Sequence, residues 1–177
     1  MRVNPTVIYG HNKVLEKKNA LYPYNKVECR SQSIATESNS FNWENMFQGR
    51  KPEKVIVGFV KSKTVDKDYT TNPFNFENCE IKHITVYADG LPVGGNPLKM
   101  DFTSGATVMR AYTKLLLSAG NWRRDEDNAL DKSHFISGSA LFAFQLQPDF
   151  SHHGEFMTLV KNGNVRLEVQ FKSALAG

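Results

Sequence analysis

The sequence predicts an all-β protein, a jelly-roll β-sandwich with one helix inserted in a strand connection. Three observations carry this expectation. Short runs rich in β-branched and aromatic residues recur along the chain, long polar stretches separate them, and one segment alone has a convincing helical apolar repeat. The 177 residues suffice for a single domain with a substantial core. That domain is expected over 1–177, with 1–50 as lead-in and first strands and 51–177 as the main sandwich.

In chain order, Val7-Ile8-Tyr9 reads as a short strand, followed by a helical turn or two within His11–Ala20 and a stop at Pro23. Lys26–Arg30 alternates polar and apolar residues, as an edge strand does. Ser31–Asn42 reads as a loop, and Phe41, Trp43, Met46 and Phe47 then supply apolar mass for a core or an interface. Val55–Val60 is a β-branched run expected as a strand buried on both faces or nearly so. A long polar loop closes on Asn72-Pro73-Phe74-Asn75-Phe76. Cys79–Ala88 is the next strand, with Ile84, Val86 and Ala88 on one face and Ile81, His83, Thr85 and Tyr87 on the other. Asp89-Gly90 signals a turn.

Val108, Tyr112, Leu115 and Leu116 form the helical stripe of Ser104–Ala119, with Thr103 or Ser104 as cap and Gly120 as stop. Trp122–Ser133 reads as an exposed, charge-paired loop. Leu141–Leu146 is a strand. Asn162-Gly163 reads as a two-residue type I′ turn joining Met157–Lys161 to Asn164–Lys172. In the second arm Val165, Leu167, Val169 and Phe171 are expected inward, and Arg166, Glu168, Gln170 and Lys172 outward.

Apolar residues make up 40% and charged residues 23%, as in folded soluble chains, and no apolar run reaches the ~20 residues that span a bilayer. No signal-peptide pattern opens the sequence, so secretion is not expected. The net charge of +4 comes from basic residues scattered among acids, without the basic stripe that nucleic-acid recognition requires. Cys29 and Cys79 permit one disulfide, with a reduced buried pair as the expectation.

The constellations that resemble chemistry are weak. His152-His153 with Glu155 has adjacent histidines, which point to opposite faces of a strand, so a polar loop is the simpler reading. His83 reads as a half-buried strand residue, and His11 and His134 lack a partner at a recognisable spacing. Asp125-Glu126-Asp127 is neutralised by Arg123 and Arg124, and Gly94-Gly95-Asn96-Pro97 lacks the Lys-Ser/Thr of a phosphate loop. Neither an enzyme nor a metal or other cofactor is therefore expected. The residues point to a sandwich that works through its surfaces, with Trp43, Phe47, Phe74 and Trp122 as candidate contact residues. The alternative is a carbohydrate- or ligand-binding sandwich using Trp122, Tyr112 or Tyr69 as a stacking platform.

The order of motifs resembles a known family. Val3-Asn4-Pro5 through His11-Asn12-Lys13 and Leu15-Glu16 match first, then Ala20–Pro23 and Val27–Arg30. Pro52 through Val60, Asn72–Phe76 and Val86–Gly90 with Pro97-Leu98 continue the match. Leu141–Phe144 with Leu146–Asp149, and Leu159–Lys161 with Val165–Val169, complete it. In that order they are similar to the C-terminal half of the double jelly-roll, hexon-like major capsid protein of Polinton/Maverick elements and adintovirus-like viruses. The resemblance implies a structural protein of an icosahedral shell, located in the virion and intracellular during assembly. Its implied partners are other copies of the capsid protein in a trimeric capsomer, with penton or minor capsid proteins beside them and no membrane. The family's N-terminal jelly roll and last strands have no counterpart here, which implies that the chain is part of a longer protein.

Overall fold

A computed structural model describes residues 4–20, 26–65, 70–104, 107–119, 130–147 and 161–175. Two compact units emerge, Met1–Ser31 and Gln32–Gly177.

The first unit contains helix α1 (Pro5–Leu15) where a strand was expected at Val7–Tyr9. The local chemistry explains the correction. Asn4 is an N-cap whose Oδ1 accepts the Thr6 N–H at 3.0 Å, and Pro5 occupies the first helical position with no N–H to lose. Lys26–Arg30, expected as an edge strand, is not in a strand among the described residues, and Val27 is 91% exposed. Lys26 and Arg30 instead flank Glu28 at 2.6 and 3.3 Å.

The second unit is mostly β, in two antiparallel sheets. The larger has the order β1 (Ser40–Arg50), β7 (Asn162–Phe171), β3 (Ile81–Ala88) and β4 (Leu91–Pro92), with β5 (Leu98–Lys99) also paired to β3. The smaller pairs β2 (Lys54–Gly58) with β6 (Leu141–Gln145). A one-turn helix α2 (Ser62–Val65) follows β2, and helices α3 (Met109–Ala119) and α4 (Lys132–Ser137) precede β6. One apolar core draws on both sheets and these last two helices: Ile84, Val86, Val165, Leu167 and Val169 from the larger sheet, Val55, Phe142 and Phe144 from the smaller, and Leu115 and Phe135 from α3 and α4.

The alternation expected for β7 is present: Val165, Leu167, Val169 and Phe171 are buried, while Glu168 and Gln170 are exposed and Arg166 is half-buried. Two register irregularities alter the other expectations. Between Trp43 and Phe47 β1 advances four positions while β7 advances two, and Asn45 takes φ +45° within that bulge. Between Ile81 and His83 a second irregularity moves Ile81 onto the buried side with Ile84 and Val86, instead of the Tyr87 side.

Strand β2 is not buried on both faces. Val55 is buried but Ile56 is 59% exposed, because alternation puts it on the face opposite Val55 and Val57, away from the core. The strand buried on both faces is β6, through Phe142, Ala143 and Phe144, and α3 packs against it.

Asp89 (φ +51°) and Gly90 (φ +82°) form the two-residue turn between β3 and β4, both in the left-handed conformation such a turn requires. Asn162-Gly163 is no turn: both lie in β7, opposite Arg50 and Gly49. A Cβ at 163 would meet the ends of the Lys51 and Asp89 side chains, which would have to move aside. Met157–Val160, the expected first arm of that hairpin, lies outside the described residues. Helix α3 begins at Met109 rather than Ser104. Asp101 winds the preceding segment into turns, its N–H donating to Thr107 Oγ1 at 2.7 Å and its carboxylate accepting from Thr103 N–H at 3.1 Å. Neither Thr103 nor Ser104 caps it, and Gly120 lies outside the described residues. The end of the expected charged loop is helical, since Asp131 caps α4 and Phe135 is driven fully into the core.

Candidate interaction surface

Among the described residues, strand β1 ends the strand order of the larger sheet, next to β7. Its register places Phe41 opposite Val169 and Trp43 opposite Leu167, so both rings lean toward the core side of β7. Their centroids are 6.4 Å apart, edge to face. The bulge turns Met46 into the core and leaves Phe47 half-buried beside it. Two of the four expected contact residues, Trp43 and Phe47, thus lie together on the strand that ends the sheet among the described residues, each half-buried.

Phe74 is elsewhere. It is 74% exposed, in an Asx turn in which Phe74 N–H donates to Asn72 Oδ1 at 2.9 Å and Asn75 N–H donates to the Asn72 carbonyl at 3.2 Å. That loop is tied to the smaller sheet's side of the unit through Phe76, which bridges Ser139. Trp122 lies outside the described residues, as do Tyr69, His152, His153, Glu155 and Asp125–Asp127. The described part of the surface is therefore two separated apolar features, a strand and a loop tip.

Beside Phe74 is a polar hollow of about 270 Å³ lined by Lys61, Thr64, Thr71, Asn72, Asn75 and Glu77. Lys61 and Glu77 pair at 2.9 Å, and that hydrogen-bonded ion pair raises the Lys61 ammonium above its ordinary value. The described lining residues carry one cation and one anion, paired, and offer both donors and acceptors. Tyr112 does not serve as a stacking platform. It is half-buried, its hydroxyl donates to the Leu130 carbonyl at 2.8 Å, and its ring meets Phe135 edge-on at 5.8 Å.

The titratable groups nearest these features are shifted by burial and by neighbours. Burial, then Glu77, pushes the Cys79 thiol up to about 11, with Lys61 opposing. Such a thiol carries little thiolate at neutral pH. Burial, then Lys82 and Lys99, lowers the His83 pKa. Both cysteines are free, and Cys29 is exposed rather than buried as expected. No group of three or more His, Cys, Asp or Glu side chains converges as a metal site among the described residues.

Two polar clusters on the larger sheet escape sequence reading. Arg166 lies over the Tyr87 ring at 4.3 Å and reaches Glu44 at 3.7 Å, joining β1, β7 and β3. Asp89 pairs with Lys51 and accepts the Asn164 N–H at 3.0 Å, and these two contacts, Lys51 first, lower its pKa. Of these residues Arg166 alone was expected outward from the sequence, and only the cross-strand register brings the partners together.

No protein-family model matches the chain, and no solved structure matches it. A relative is found in Caenorhabditis elegans, the "Uncharacterized protein F54H12.2", 27% identical over 161 residues, which are 90% of this chain and 38% of that protein. The chain therefore spans well under half the length of the curated relative to which it is similar.

Proposed function

We propose that this chain is a structural jelly-roll domain of a capsid-type major shell protein, acting in the virion by contacts between copies within a trimeric capsomer. The observation that carries the reading is the pairing of an antiparallel, two-sheet core with an 11-residue strand, β1, that ends the sheet among the described residues and on which Trp43 and Phe47 remain half-buried. Half-buried aromatics on an outermost strand complete their burial when a neighbour packs on them, and such anchors dominate association energies. The collinear resemblance to hexon-like capsid proteins supports the same reading. The partners are further copies of the protein, with penton or minor capsid proteins at the shell's special positions.

The test is the solution mass of the purified chain by light scattering across concentration. A trimer that Trp43→Ala dissociates, with the fold intact by circular dichroism, supports the reading. A chain that stays monomeric at all concentrations, alone and when mixed with the remainder of its parent protein, refutes assembly through this surface.

A second reading is the binding of a neutral saccharide. It rests on the hollow lined by Lys61, Glu77, Thr64, Thr71, Asn72 and Asn75, whose amides and hydroxyls lie beside the exposed Phe74. Calorimetric titration with glycans separates it from the first reading.

A further inference from the structure

We infer that the N-terminal unit is a docking arm for an anionic lipid surface, with α1 lying in the bilayer interface. The inference is independent of the shell reading and rests on two features of Met1–Ser31. The first is charge. This segment holds six of the chain's 22 basic residues (Arg2, Lys13, Lys17, Lys18, Lys26 and Arg30) and two of its 18 acidic ones (Glu16 and Glu28). The rest of the chain has 16 of each. The whole excess of +4 thus belongs to the arm, and the sandwich is neutral.

The second feature is an apolar stripe. At about 100° per residue, Val7, Ile8, His11, Val14 and Leu15 fall within about a third of the helix circumference. The four apolar members are 48–58% exposed, and no residue of α1 is buried. Lys13 and Tyr9 lie on the other side, with the ammonium 5.4 Å from the ring centroid. Lys17 and Lys18 follow in the turn that closes the helix, their N–H groups donating to the Val14 carbonyl.

Charge complementarity selects the occupant. A second copy of the neutral sandwich offers the lysines no net attraction. A nucleic acid attracts them but has no apolar phase for the stripe. An anionic bilayer supplies both, with phosphates for the lysines and hydrocarbon just beneath for valine, isoleucine and leucine. No membrane partner was expected from the sequence because no run is long enough to span, and no helix among the described residues is. A helix lying in the interface has no such length requirement.

The experiment is cosedimentation of the full chain with phosphatidylcholine vesicles made with and without phosphatidylserine. Binding is expected to the phosphatidylserine vesicles at low salt, to weaken sharply at high salt, and to be absent on phosphatidylcholine alone. Lys17→Ala with Lys18→Ala is expected to weaken it about thirtyfold. Ile8→Asp with Leu15→Asp is expected to abolish it while the urea unfolding midpoint of the sandwich is unchanged. Failure to bind phosphatidylserine vesicles overturns the inference, as does a stripe variant that binds like the native chain. Two other results also overturn it. One is a dimer that the stripe variant dissociates without vesicle binding, which assigns the stripe to a second copy. The other is binding to an oligonucleotide but not to vesicles, which makes the arm a nucleic-acid element.

Discussion

Replacing Phe135 by alanine tests the packing of the core at the point where it is least evident from sequence. Phe135 belongs to a six-residue helix, too short to be stable alone, and its ring is fully buried. It meets Tyr112 at 5.8 Å and Phe142 at 6.1 Å, edge to face in both cases, and so links α3 and α4 to β6. Phe→Ala in such a setting removes about 3–5 kcal/mol, from lost transfer energy and the cavity left behind. A domain of this size has about 5–15 kcal/mol in total, so the loss is a large fraction of it. It corresponds to a fall in Tm of roughly 6–20 °C. The assay is urea unfolding followed by far-ultraviolet circular dichroism, with Phe74→Ala as the exposed-aromatic control, expected within about 0.5 kcal/mol of the native chain. A loss for Phe135→Ala below about 1 kcal/mol, or one equal to the control, would refute the placement of α4 in the core.

Three further outcomes follow from the geometry. Cys79 and Glu80 carry φ +45° and +43°, so Glu80→Gly should relieve left-handed strain and, after the added freedom of the unfolded chain, stabilise by about 0.5 kcal/mol; a lowered urea midpoint contradicts this. Acid should destabilise in two stages. His83 is lowered from 6.5, so its contribution is present above that value and is lost as pH falls through the folded pKa; His83→Gln should remove this stage. Asp89, Asp101 and Asp131 are lowered from 3.8, by Lys51, the Thr103 N–H and Ser133 respectively as first causes, so their contribution persists above 3.8 and is lost below it; Asp89→Asn should flatten that second stage in urea midpoints measured against pH. With a thiol reagent at mildly alkaline pH, Cys29 should react at once and Cys79 slowly until urea is added; equal rates contradict the burial that raises Cys79 to about 11.

Local chemistry that repeats within a few residues was legible. The inward set of β7 reads directly from alternation, and Asp89-Gly90 reads from its two left-handed positions. Where a local signal had two meanings, the wrong one was easy to take. Val7-Ile8-Tyr9 is β-branched enough for a strand, yet Asn4-Pro5 is a helix start, and capping at the N-terminus outweighs a three-residue propensity. The same signal, an Asp before Lys132–Ser137 and a Gly after it, was present at α4 and was masked by the charges around it.

Register is the part that no local pattern contains. The irregularity before His83 changes which face Ile81 shares with Ile84 and Val86, and the two extra residues around Asn45 carry Met46 inward without altering the alternation beyond them. They decide that Met46 and Ile81 are core, and the cross-strand register sets Glu44 beside Arg166 and Arg166 over Tyr87. Asn162-Gly163 shows the same limit from the other direction. Its dipeptide favours a tight turn, but Gly49 and Arg50 pair with it in an extended strand, with the Lys51 and Asp89 side chains packed close beside Gly163. Trp43 and Phe47, four residues apart on β1, share one face with or without the two extra residues between them, whereas Met46 reaches the core only through the bulge. Deleting two residues of the bulge should therefore remove that core contact and lower stability while leaving both rings on the same face.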